Sequence, residues 1–194
     1  MADYITRYDK MPIPPVRTHT AFFQAGVIRI GVEYRILTPE IAAAQRPHLQ
    51  AAAGTDDVVV EELADCGVSL HIFGVTQEEE REYLRFDCFT EDPHYHYVNW
   101  DASTNEVLHL DPVAQGDPLQ WALQAIATRL PHLLRRAGAD QVAGQVDPVL
   151  LGAILPRVAE AAYRARYQDS RDVPEGATAP LESIQTNPID QEAL

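Results

Sequence analysis

Lysine is almost missing from this chain: Lys10 stands alone among 15 basic residues, against 29 acidic ones. The resulting net charge of −14 repels phosphate backbones and anionic headgroups, and the largest basic cluster, Arg135-Arg136, is too small to reverse that field. No nucleic acid partner is expected. Cysteine is nearly as scarce. Cys66 and Cys88 are the only two and lack Cys-x-x-Cys spacing, so neither a disulfide framework nor a zinc finger is expected, and a reducing cytoplasm fits. No run of about 18 apolar residues occurs. Residues 1–9 hold neither a basic nor an apolar leader segment, so an unexported, cytoplasmic protein with no membrane partner is expected. A glycine-rich phosphate loop, Gly-x-Ser-x-Gly and His-Glu-x-x-His are also lacking, and with them any signature of a known catalytic site.

What is there suffices for one domain: 194 residues, 46% of them hydrophobic, can bury a proper core. Residues 1–20, with Pro12, Pro14 and Pro15, and residues 169–194, with Pro174, Pro180 and Pro188, read as extended or disordered tails. Between them, 21–168 reads as a single α+β domain. In Val27–Ile36 the even positions are apolar and Arg29, Glu33 and Arg35 sit on odd ones, the pattern of a strand with one wet face. Thr38-Pro39-Glu40 opens a short helix, and residues 48–66 have no decisive pattern. From Gly67 a meander follows: Val68–Phe73, an acidic turn at 77–80, Tyr83–Phe89, His94–Trp100 and Glu106–Leu110. Links this short favour antiparallel neighbours.

Two helices close the domain. Asp117-Pro118 and Asp147-Pro148 each supply an N-cap followed by a first-turn proline, and apolar stripes follow through Leu119, Leu123, Ile126, Leu130 and Leu133 and through Leu151, Ile154, Leu155 and Val158. Gly138 stops the first. Pro131 and Pro156 are expected to kink or break them. The architecture expected is an antiparallel sheet of about five strands, covered on its apolar face by helices at 118–136 and 148–166.

Chemistry concentrates in residues 81–112, which hold three of the seven histidines. His94 and His96, two apart on a strand, share a face with Cβ atoms about 6.6 Å apart, within reach of one metal ion. Such a site needs further ligands, and Asp87, Cys88, Glu91, Asp92, Asp101 and His109 are the supply. The alternative is a polar aromatic binding face of His94, Tyr95, His96, Tyr97 and Trp100, or a ligand cavity lined by Tyr95, Tyr97, Phe73 and Trp100. Cys88 alternates with Leu84 and Phe86 and reads as core, not nucleophile.

His-x-His with Asp101 partly resembles the first cupin motif, which also requires a Glu-type acid and flanking glycines; positions 88 and 108 here are Cys and Leu. The histidine strand also resembles that of a class of small bacterial toxins, from which the acidity and length of this chain depart. Leu84-Arg-Phe86-Asp87, Pro93-His94-Tyr-His96-Tyr97, Leu110-Asp111-Pro112 and Gly116-Asp117-Pro118-Leu119-Gln-Trp121 together resemble small uncharacterised bacterial β-meander proteins with helical C-termini, over about residues 67–165. The resemblance implies a fold and no activity.

The function expected first is a non-catalytic binding or accessory subunit of a bacterial cytoplasmic assembly. Its tails and its His/Tyr face would contact a protein partner or a second copy, with no cofactor. The second expectation is a divalent metal site at His94 and His96, completed by Asp87, Asp101 or His109. Small-ligand binding is the third.

Overall fold

Alternating polarity organises not five strands but seven, all antiparallel, in a computed structural model that describes residues 5–8, 11–37, 65–76 and 79–167. They are β1 (Ile5–Tyr8), β2 (Thr20–Ala25), β3 (Ile28–Leu37), β4 (Asp65–Val75), β5 (Glu80–Phe89), β6 (His94–Asn99) and β7 (Thr104–His109), in the order β1-β7-β6-β5-β4-β3-β2. The two strands beyond expectation are β1, which pairs with β7, and β2, which pairs with β3. The helix expected from Thr38 and the ambiguous segment 48–64 lie outside the described residues, as does the tail 169–194.

The helices are α1 (Pro112–Gln115), α2 (Pro118–Arg136), α3 (Asp140–Ala143) and α4 (Pro148–Tyr167). The starts of α1, α2 and α4 follow from Asp-Pro pairs. Asp117 accepts from the Gln120 N–H, and Asp147 from the N–H groups of Val149 and Leu150, while Asp111-Pro112 repeats the device for the unforeseen turn α1. Gly138, at φ +80°, closes α2 as expected. Neither internal proline breaks its helix. Around Pro131 the reason is packing: Leu130 and Leu134 are fully buried and hold the turn whose hydrogen bond the proline removes. None of the helices is long and apolar enough to cross a membrane among the described residues.

One face of the sheet takes the helices: α2 packs on β5, and α4 on β2, β3 and β4. Ile30, Val32, Leu70, Ile72, Leu84 and Phe86 from the strands meet Leu119, Ile126, Leu130 and Val158 there. The other face is polar yet also largely buried. β1 and β2 lie at opposite edges, so the chain from Tyr8 to Thr20 must cross six inter-strand spacings, about 29 Å. Twelve residues reach about 40 Å fully extended, which leaves little slack. The strap Met11-Pro-Ile-Pro-Pro-Val16 crosses the polar face. The Ile13 carbonyl accepts from Arg85 on β5 at 2.6 Å, the Val16 N–H donates to Glu33 on β3 at 3.1 Å, and Arg17 reaches Glu80 at 2.5 Å. Within the arm expected at 1–20, residues 5–8 pair with β7, Ile13, Val16 and Arg17 bond to the polar face, and Arg17–His19 forms one 3-10 turn before β2.

Candidate functional site

Strand register sets the polar side chains in rows across the sheet. One row runs Thr20, Glu33, Ser69, Asp87, His94, His109, each residue directly opposite the next on the neighbouring strand. The next row carries His71, Arg85 and His96. Glu82 joins them through an irregularity. Residues three apart on a regular strand face opposite ways, yet Glu82 and Arg85 form a two-point ion pair at 2.9 and 2.7 Å. A register shift between Ile72 and Phe73 sets Phe73 opposite Glu82 while Ile72 stays opposite Leu84, so Tyr83 is the extra residue and both charges come to the polar face.

Two groups form on this face. In the first, the His71 ring lies between two carboxylates, Nδ1 2.7 Å from Glu82 and Nε2 3.2 Å from Glu33. Burial works against the charge on Glu82, but Arg85 and His71 outweigh it and pull the carboxyl down to about 2. Because the folded value lies below the ordinary 4.5, the group stabilises the fold fully above about pH 4.5, and that contribution is lost as pH falls through about 2. Urea unfolding of the wild type and Glu82→Gln at several pH values is expected to show a gap that narrows steadily from about pH 5 to about pH 2. A pH-independent gap would contradict this.

In the second group, Asp87, His94 and His96 converge. One ligand atom from each lies within 4.8 Å of the other two. The Asp87 Oδ2 atom is 3.3 Å from His94 Nε2 and 3.1 Å from His96 Nε2, while Ser69 donates to Oδ1. Burial would raise the Asp87 pKa, but the two histidine rings beside it and the Arg85 charge hold it well below the usual carboxylate range. The two rings differ. Burial opposes a charge on each; at His94 the Asp87 hydrogen bond and charge prevail and the pKa rises, whereas at His96 burial prevails and it falls.

Each ring is also held at its other nitrogen. His94 Nδ1 is 2.7 Å from the main-chain oxygen of Asp92, and His96 Nδ1 is 2.9 Å from Asn105 Oδ1. Donating there, both rings turn the lone pair of Nε2 toward the Asp87 carboxylate, a repulsive arrangement unless a cation stands between. His94 meets this with a second proton. For His96 burial disfavours one, so the alternatives are a metal ion or an inverted Asn105 amide.

Of the expected ligands, Asp87, His94 and His96 come together, and His109 joins His94 in a second set with Asp92. Asp101 does not belong: it sits in the β6–β7 turn, past Asn99, whereas His94 opens β6 at the other end. Sequence reasoning missed Asp65, whose buried carboxylate accepts from the N–H groups of Cys66, Thr90, Glu91 and Asp92. It fixes the turn that presents the Asp92 carbonyl to His94. The Asx-turn habit of aspartate was its only signal.

The aromatic face divides. His94 and His96 lie on the strap side, but Tyr95 and Tyr97 lie under α2, Tyr95 against Trp121 at 5.2 Å and Tyr97 beneath Arg136 at 4.3 Å. Phe73 stacks near His71, on the opposite face from the tyrosines, so those three line no common cavity. Trp100 donates to the Glu82 carbonyl. Cys88 packs on the helix side, and burial, with the nearby charges of Asp87 and Asp117, raises its thiol pKa, which disfavours a thiolate.

No curated protein and no solved structure matches the chain. A family model does match, over residues 22–162, a stretch that holds β3 to β7, the described helices through Ala162, and all of Asp87, Asp92, His94, His96 and His109. The chain belongs to that family, described as a domain of unknown function, DUF7700.

Proposed function

We propose that the protein binds one divalent transition-metal ion, zinc by its ligand chemistry, through Asp87, His94 and His96. The observation that carries this reading is the pair of histidines tethered at Nδ1 to oxygen acceptors, with both Nε2 atoms aimed at one carboxylate. Metal-bound histidines are held in this way, the outer hydrogen bond fixing ring orientation and tautomer. The spacing agrees: ligand atoms on a tetrahedral ion with bonds of about 2.0–2.1 Å are about 3.3 Å apart, against 3.3 and 3.1 Å here. Three protein ligands leave a coordination position for water or another exchangeable ligand. The partner-binding role expected first has less support, because Tyr95 and Tyr97 are engaged with α2.

Elemental analysis of untagged protein after zinc or cobalt addition and desalting tests the proposal. One equivalent in the wild type and none in His94→Ala/His96→Ala is expected; no stoichiometric metal in the wild type would end it. Asn105→Ala, which removes only the outer partner of His96, is expected to weaken zinc binding about 10- to 100-fold in competition with a chelator. Unchanged affinity would argue against the orienting role of Asn105.

A further inference from the structure

The ligand row has an exposure gradient. Side-chain exposure falls from 43% at His109 and 42% at Asp92 to 14% at His94, 10% at His96 and 4% at Asp87. Asp92, His94 and His109 form a second three-ligand set, with one atom from each within 4.8 Å of the others. His94 is common to both sets and turns a different nitrogen to each: Nε2 lies 3.3 Å from Asp87, and Nδ1 3.8 Å from the Asp92 carboxylate. The outer pair is already assembled, with His109 Nδ1 2.7 Å from Asp92 Oδ1 and the His109 ring 5.8 Å from that of His94.

Resting on the metal-binding reading, we infer that Asp92 and His109 form a capture site that takes a divalent ion from solvent and hands it, through His94, to the buried position at Asp87 and His96. A buried site needs a way in, and dehydrating a divalent ion is easier in steps than at once. Asp92 attracts the ion, His109 replaces part of its water, and the ion then passes from Nδ1 of His94 to Nε2, the ring proton moving the other way, to sit between Asp87 and His96. With the ion on Nε2, Nδ1 of His94 carries the ring proton and donates to the Asp92 carbonyl, so the two sets are occupied in turn and the protein holds a single ion at rest. Asp92 serves twice, its carboxylate in capture and its main-chain carbonyl in holding His94 once the ion is seated.

The test uses the full chain without a tag and cobalt(II) as the probe, with loading followed by its visible absorption after rapid mixing. Asp92→Asn keeps the main-chain carbonyl, and His109→Ala alters a half-exposed side chain. Each is expected to reach the wild-type spectrum at one ion per chain, but about ten-fold more slowly. Wild-type loading rates in both variants would overturn the capture role and leave the buried site standing. Two ions per chain at saturation would overturn the handover. A wild type that takes up no cobalt would remove the buried site, and the capture site with it.

Discussion

Arg85→Met is expected to lower stability by about 3–5 kcal/mol, because it strands a buried carboxylate. Arg85 is 3% exposed and gives Glu82 two hydrogen bonds and the Ile13 carbonyl a third. Methionine fills much of the same volume, so packing survives while the ionised Glu82 keeps only the His71 ring as a side-chain partner. Every buried side-chain polar atom among the described residues has a hydrogen-bond partner, so no spare donor stands ready. Adding Glu82→Gln to Arg85→Met should recover part of the loss, since it removes the stranded charge. The strap adds a second readout. Without its Arg85 contact, the amides of Met11, Ile13 and Val16 should exchange faster with deuterium than in the wild type. Denaturant unfolding measures the first effect; a change within about 0.5 kcal/mol, the range of ordinary surface substitutions, would show that the pair is not what holds this face.

A loss of similar size is expected on the other side of the sheet. Phe86, 1% exposed, packs against both Tyr95 at 5.9 Å and Trp121 at 6.0 Å and joins β5 and β6 to α2. Phe86→Ala removes its buried area and leaves a cavity lined by two rings too large to collapse inward, a change of about 3–5 kcal/mol. In a domain of this size that corresponds to a melting temperature roughly 10 °C lower. Phe86 stands between Arg85 and Asp87 on the same strand but faces away from both. Metal stoichiometry should therefore persist in Phe86→Ala wherever the protein remains folded. Loss of the ion from folded Phe86→Ala would show that the two faces are coupled.

What the sequence disclosed was mostly local. The starts of α2 and α4 were legible because an Asp-Pro pair caps a helix through contacts within four residues, and β3 to β7 because alternation is a property of each strand alone. β1 was not, since four residues, Ile5 to Tyr8, pair with residues 105–108, about a hundred positions away. The polar side of β3 was read as wet for the same reason. Glu33, Ser69, His71, Arg85 and Asp87 each look solvated on their own strand, and only cross-strand register shows that they satisfy one another. Asp87, His94 and His96 were in view as ligands. The choice between Asp101 and Asp92 turned on which end of β6 each occupies, and spacing from His96 says nothing of that.

The row from Thr20 to His109 makes the ion a gauge of chain alignment. Asp87 and His94 come from different strands, and because side chains alternate, sliding either strand by one residue would send its ligand to the helix side. A cobalt spectrum appearing during refolding would then time the moment at which β5 and β6 lock into place.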